Sequence, residues 1–265
     1  MDKVVLITGA SAGIGRASAD RLHRAGWTVV GASRRGTSPG GWAPLVMDVD
    51  EDGSVADGVA GVLREHGRLD AVVACAGWGL AGPVEQTPIA EAKEQMETNF
   101  WGSVRLVQAA LPAMRARGTG RLVLISSIGG VIGIPFQAFY SASKFAMEGY
   151  AESLAYEVAP FDISVTLVQP GNVRTDFTAS RKDVQPPDDD PYAAVVTTAI
   201  SKMERDEANG VAPEAAAAVL QRVLESARPP RRVSVGKSGE RIGLMAKRLM
   251  PYRLFEKAAK GSLGV

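Results

Sequence analysis

Short apolar runs punctuate the chain, and between them apolar residues recur at helical spacing. Lys3 to Thr8, Thr28 to Ser33, Leu45 to Met47, Asp70 to Ala74, Arg121 to Ser126, Ile163 to Val168 and Arg232 to Val235 read as strands. They are rich in Val, Ile and Leu and do not alternate cleanly with polar residues, as expected of strands buried on both faces. Arg16 to Ala25, the stretch carrying Val55, Val59 and Val62, Ile89 to Arg115, Tyr140 to Ala159, Tyr192 to Ala208 and Pro213 to Ala227 read as helices. Gly118 to Gly120 closes the third of these before the fifth strand. Strands and helices in this order predict an α/β fold with a parallel sheet.

Composition narrows the class. The 265 residues are 46% apolar and 22% charged, with a formal net charge of +1. That suits a single globular domain and leaves no electrostatic footprint for nucleic acid. Cys75 is the one cysteine, so no intramolecular disulfide forms and a reducing compartment is expected. The opening MDKVVLITGA lacks a secretory signal, and no stretch approaches ~18 uninterrupted apolar residues. A cytoplasmic protein that does not span a membrane is expected. His23 and His66 lie far apart in sequence and are assigned to neither metal nor catalysis.

Two stretches carry chemistry. The first strand runs into Thr8-Gly9-Ala10-Ser11-Ala12-Gly13-Ile14-Gly15, and a helix follows. Strand, glycine turn and helix set backbone N–H groups and a helix N-terminus against a pyrophosphate. The second strand ends in Arg34-Arg35, where a dinucleotide fold meets the adenosine ribose. An acid there accepts from a free 2′-hydroxyl and an arginine pairs with a 2′-phosphate. No acid occupies Gly31 to Arg35, which favours NADP(H) over NAD(H); basic residues that solvate a strand end are the alternative. The other stretch is SSIGGVIGIPFQAFYSASK, Ser126 to Lys144. Tyr140 and Lys144 stand one helical turn apart, and an ammonium beside a phenol lowers its pKa. A serine at the preceding strand end, Ser126 or Ser127, reaches the same oxygen, so the group can move a proton to or from a carbonyl oxygen. Tyr-x-x-x-Lys alone also occurs by chance on solvated helix faces.

Taken together, Thr-Gly-x3-Gly-x-Gly near the start and GIPFQAFYSASKFAMEG further on resemble the short-chain dehydrogenase/reductase family, single-domain type, and within it the 17β-hydroxysteroid and retinol dehydrogenase-like members. The resemblance runs from about residue 3 to about residue 176. It implies a Rossmann-type, doubly wound, seven-stranded parallel sheet in the order 3-2-1-4-5-6-7, a three-layer α/β/α single domain over 1–265. It implies a cofactor site of Gly9, Ser11, Gly13, Ile14 and Gly15 at the pyrophosphate, Arg34 and Arg35 at the ribose, and Asp48 and Val49 at adenine. Ala76 and Gly77 follow the fourth strand, and Pro170, Gly171, Val173 and Thr175 face the nicotinamide amide. It implies a catalytic tetrad of Asn99, Ser127, Tyr140 and Lys144; the thirteen-residue step to Tyr140 is what selects Ser127. Asn99 is expected to bend its helix and continue a proton relay, and Asn99, Tyr140 and Lys144 also meet the cofactor. One departure stands out: Ala74 and Cys75 occupy the places of two family asparagines, and Cys75 reads as a packed, inert thiol rather than a reactive one.

The expected activity is NADP(H)-dependent interconversion of a hydrophobic ketone or aldehyde and its alcohol, with Tyr140 as general acid/base. A dinucleotide-binding sensor or scaffold without turnover is the alternative, against which the intact tetrad argues. Substrate-binding candidates are Ser127, Gly129, Ile134, Phe136, Gln137, Tyr140 and Phe177, with Val131, Ile132 and Trp78 nearby. Residues 176–210 form an expected substrate flap, of which Phe177 to Pro191, with three prolines and six charged residues, reads as mobile. The family's subunit interface uses the helices bearing Asn99 and Phe145 to Ala159, so a homodimer or homotetramer is implied. The tail, about 239–261, puts Ile242, Met245 and Leu249 on one helical face, with Pro251 breaking it before Tyr252. From Arg228 to Lys260 there are ten basic side chains against Glu240 and Glu256. Such an end either caps the pocket or a neighbouring subunit, or lies as a peripheral contact on an anionic membrane.

Overall fold

The computed structural model describes residues 2–251 and 253–257; Tyr252 and the end of the tail, 258–261 with Lys260, lie outside the described residues. Seven strands, β1 (Val4–Thr8), β2 (Thr28–Ser33), β3 (Ala43–Val46), β4 (Ala71–Ala74), β5 (Gly120–Ile125), β6 (Ile163–Pro170) and β7 (Arg232–Val235), form one parallel sheet. Its order is β3-β2-β1-β4-β5-β6-β7, as expected from the sequence. The chain reverses direction between β1 and β4, so the strand ends there open a crevice, the place where such sheets hold ligands.

Alternate side chains of each strand feed two cores, which is why the strands read as unbroken apolar runs. Val4 and Leu6, Val72 and Ala74, and Leu122 and Leu124 face one side. They pack on α2 (Asp52–His66), α4 (Gly102–Arg117) and α5 (Ala138–Glu157), through Val59, Leu106 and Met147 among others; α3 (Ile89–Met96) leads into α4. Val5 and Ile7, Ala71 and Val73, and Val123 and Ile125 face the other side, against α1 (Gly13–Arg24). α6 (Ala193–Ala208) precedes α7 (Pro213–Glu225), which completes that second layer through Ala216, Leu220 and Val223. α8 (Ser238–Leu249) follows the last strand.

Two expectations are corrected. Ile89 to Arg115 is not one regular helix: Glu97–Trp101 forms a π-helical turn between α3 and α4, and α4 runs on to Arg117. The Phe177 to Pro191 flap is not loose. It holds one helical turn, Phe177–Ser180, and a strand, Lys182–Asp183, paired in parallel with Leu80–Ala81. The reason is Arg181, whose side chain is fully buried among Asp183, Glu204 and Glu207 at 2.8, 3.6 and 3.2 Å. Burying a guanidinium so completely is tolerable only when carboxylates surround it, so this arginine fastens the flap to α6.

Candidate active site

The crevice is a cleft of about 1510 Å³ that runs from the β1–α1 turn, past Tyr140, to α8. At its first end the turn wraps tightly. Gly9 has φ +68°, and a Cβ there would stand 2.9 Å from the Ala76 nitrogen. A Cβ on Gly15 would stand 2.3 Å from the Gly9 carbonyl oxygen. No side chain caps α1, the Gly15 N–H meets the Cys75 thiol, and Gly13, Ile14 and Gly15 line the cleft. The other N–H groups of this first turn and the positive end of the helix dipole suit a pyrophosphate. Beside them Arg35 donates from Nη2 to Ser11 Oγ at 3.0 Å, and Arg34, Asp48 and Val49 continue the lining. The donor set therefore fits a dinucleotide.

The loop after β4 keeps its shape without the two asparagines. Thr8 Oγ1 accepts from the Cys75 and Ala76 backbone N–H groups at 3.1 and 3.3 Å. From the other side Asn99 Oδ1 accepts from the Trp78 N–H at 2.9 Å, and Asn99 Nδ2 donates to the Trp78 carbonyl at 3.0 Å and to Ser143 Oγ at 3.2 Å. Gln95 Nε2 donates to the same carbonyl at 3.1 Å. Asn99 is fully buried and sits in the π turn, so the extra residue of that turn is what aims its amide at the loop. Cys75 touches the cleft, and burial pushes its thiol up to about 11, the behaviour of an inert thiol.

Tyr140 and Lys144 rise from the first turns of α5, both buried, with the Lys144 nitrogen 5.8 Å from the Tyr140 ring centre. Lys144 Nζ donates to the Ile125 carbonyl at 2.9 Å, at the end of β5. Two serines follow that strand and divide. Ser126 Oγ donates to Glu148 at 2.7 Å, beneath the cleft. Ser127 Oγ accepts from the Gly129 N–H at 3.0 Å and meets the Tyr140 phenol. Burial sets the acidities. It pushes the phenol up to about 12, opposed by the Ser127 hydrogen bond and reinforced by the Glu207 charge. It pulls Lys144 down to about 8. In the protein without cofactor, burial and not Lys144 is the main influence on the phenol.

Beyond Tyr140 the cleft has two unlike walls. Ile132, Ile134 and Phe177 line one side, with the Phe177 ring edge-on to Tyr140 at 5.8 Å, and α8 and the chain after it add Ile242, Ala246, Met250 and Phe255. α6 adds Met203, Asp206 and Glu207. α8 is anchored by Glu240, whose Oε1 accepts from the Asn172 N–H and Nδ2 at 2.9 and 2.7 Å and whose Oε2 accepts from the Lys237 N–H at 2.7 Å. The carboxylate fills the space where a Cβ on Gly171 would lie, 2.3 Å away.

Of the residues singled out from sequence, Gly9, Ser11, Gly13, Ile14, Gly15, Arg34, Arg35, Asp48, Val49, Ala76, Gly77, Pro170, Gly171, Val173 and Thr175 line this one cleft, as do Ser127, Ile134, Gln137, Tyr140, Lys144 and Phe177. Asn99 stands behind the lining. Gly129 packs beneath Ser127 and Tyr140, where a Cβ would come within 3.3 Å of each. Phe136, at φ +58°, turns to the Tyr192 ring at 6.4 Å and packs on Ala81, Val196 and Ile200. Sequence reading missed Glu207 and Glu240. The available signal for Glu240 was its place as one of two acids, with Glu256, in a basic stretch; Glu207 carried none.

The family model described as short chain dehydrogenase matches residues 3–186. The 3-ketodihydrosphingosine reductase of Bacteroides thetaiotaomicron is 40% identical over 261 residues, 97% of each chain. Retinol dehydrogenase 8 of Bos taurus is 36% identical over 253 residues, covering 87% of this chain and 80% of that protein. Among solved structures, a short-chain dehydrogenase from Streptomyces avermitilis superposes with a TM-score of 0.84 at 33% identity, covering 98% of both chains.

Proposed function

The chain belongs to the short-chain dehydrogenase family, and from that premise we propose that it is an NADP(H)-dependent reductase converting the ketone of a long, hydrophobic substrate to an alcohol. The observation that carries this reading is the Ser127–Tyr140–Lys144 group opening into a cleft that has phosphate donors at one end and an apolar wall at the other. The 3-ketodihydrosphingosine reductase, similar over nearly the whole chain, supports a long-chain ketone.

A nicotinamide dinucleotide, when bound in this cleft, would supply the hydride. Ser127 Oγ and the Tyr140 hydroxyl together hold the carbonyl oxygen, which orients it and draws charge onto it. Tyr140 gives that oxygen its proton. A phenol pushed up to about 12 keeps its proton at neutral pH and so favours the reducing direction. Lys144 fixes the β5 end through Ile125 and, by resemblance to the family, holds the nicotinamide ribose. Asn99 secures the Ala76–Gly77–Trp78 loop beside that ribose. Arg34 and Arg35 pair with a 2′-phosphate, which is the basis for preferring NADPH.

The reading extends to assembly and place. A homodimer or homotetramer through α4 and α5 is supported by Trp101, Phe145 and Tyr156, which lie exposed along that side. The lone cysteine supports a reducing compartment, and among the described residues no helix is long and apolar enough to cross a membrane. One observation favours a peripheral variant of the same enzyme: α8 exposes Ile242, Met245 and Leu249 beside Arg241 and Arg248 at the cleft mouth.

The test is fluorescence titration with NADPH and NADH, followed by NADPH oxidation against long-chain ketones. NADPH is expected to bind more tightly, and Tyr140→Phe to cut turnover by about 10²–10⁴-fold while NADPH binding persists. Turnover that survives Tyr140→Phe sinks the mechanism.

A further inference from the structure

The substrate end of the cleft contains a carboxylate that the carbonyl chemistry does not use. Glu207 lies one residue from the end of α6, lines the cleft, and keeps 15% of its side chain exposed. Its anchoring is one-sided. Oε2 accepts from both Thr178 Oγ1 and Arg181 Nη1, the latter at 3.2 Å. Among the described residues no hydrogen bond is made to Oε1. The anchor also sets its distance from the reacting group, because Thr178 follows Phe177, whose ring meets that of Tyr140.

Arg181 does not neutralise Glu207. The guanidinium is shared with Asp183 and Glu204, so one positive charge faces three carboxylates. Asp206, the next residue, lines the cleft as well and pairs with Lys202 at 2.6 Å. The excess charge reaches the site, since Glu207 helps to push the Tyr140 phenol up. The same cleft is also lined by the apolar Ile132, Ile134, Ile242 and Met250. A wholly apolar ketone has no use for an open carboxylate oxygen beside its carbonyl, and desolvating that oxygen unpaired would weaken binding.

We propose that Glu207 is a specificity-determining residue that receives, on Oε1, an ammonium carried close to the carbonyl, so that the substrate class is a long-chain amino ketone with its hydrocarbon on the apolar wall. This deepens the reductase reading and rests on it.

Two ketones of the same chain test it: 3-ketodihydrosphingosine, and the same C18 hydroxyketone with hydrogen in place of the amine, each in neutral detergent micelles with NADPH. A hydrogen bond to a charged group in a partly buried site corresponds to about ten- to hundredfold in kcat/KM, and that is the preference expected for the amine. Glu207→Gln keeps an acceptor on the anchor but removes the charge, and is expected to bring the ratio of the two ketones to within about threefold of unity. The N-acetylated amino ketone, tested on the unaltered protein, has the bulk without the charge and is expected to rank with the desamino ketone, which keeps the test alive should the variant misfold. Equal use of all three by the unaltered protein, or an unchanged ratio in folded Glu207→Gln, overturns the role of Glu207 and leaves the reductase reading standing. No NADPH oxidation with any of the three overturns both.

Discussion

Tyr140 and Lys144 share one burial with opposite results: the phenol is held in its neutral form and the ammonium is made easier to discharge. For Lys144 the sign for stability follows directly. Its folded pKa is about 8, below the 10.5 of an ordinary lysine, so the unfolded chain binds the extra proton between those values and stability rises with pH across them. Compared with Lys144→Met, the unaltered protein is expected to gain on the order of 3 kcal/mol between pH 8 and 10.5, measured by urea denaturation at each pH. A difference that stays flat over that range rejects a depressed Lys144. The pairing of these residues was legible from their four-residue spacing, but the direction of the phenol's shift was not. Proximity is written in the sequence, whereas the burial that chiefly influences the phenol comes from strands and helices distant in the chain. The choice of serine is similar: Ser126 and Ser127 are equivalent in sequence, and only Glu148, a turn beyond Lys144, occupies Ser126.

Among the elements, the π turn Glu97–Trp101 bears most directly on the site. A regular helix from Ile89 onward would rotate every later residue relative to α5. The inserted residue instead lets Asn99 face the Trp78 backbone while α4 keeps its apolar face on the sheet. Asn99→Ala leaves the part-buried Trp78 N–H without its acceptor and removes the tie to Ser143, so a loss of about 1–2 kcal/mol is expected in denaturant unfolding, along with weaker NADPH binding. Retention of full stability would mean that the loop after β4 is held by Thr8 alone. The periodicity of Ile89 to Arg115 conceals the insertion because one residue in twenty-odd barely disturbs a 3.6-residue period; a polar amide in mid-helix was its trace. The flap misled for another reason. Its prolines and charges read as solvated, and Arg181 reverses that only once three acids from two segments converge on it.

At the scale of the whole molecule, the site is assembled in two halves with different legibility. The cofactor half lies at successive strand ends of the sheet, so the order of motifs along the chain maps onto their order in space. The substrate half is lined by α6, the flap and α8, and the flap is tied to α6 by side chains, Thr178 and Arg181, that come from outside the seven-stranded sheet. Glu240 joins the halves. Glu240→Ala removes three hydrogen bonds from Asn172 and Lys237, and NADPH affinity is expected to fall about tenfold while the sheet core, which it does not touch, keeps its resistance to hydrogen exchange. Unaltered affinity would assign Glu240 to holding α8 alone.

The same contact orders events during synthesis. The Pro170–Asn172 turn leaves the ribosome 68 residues ahead of the carboxylate that fixes it. Strands β1 to β6 can pair, and the phosphate donors of α1 can form, while that turn is still without its clamp. A growing chain can therefore shape the phosphate end of the cleft before the Pro170–Asn172 turn is fastened, which happens only when the last helix docks.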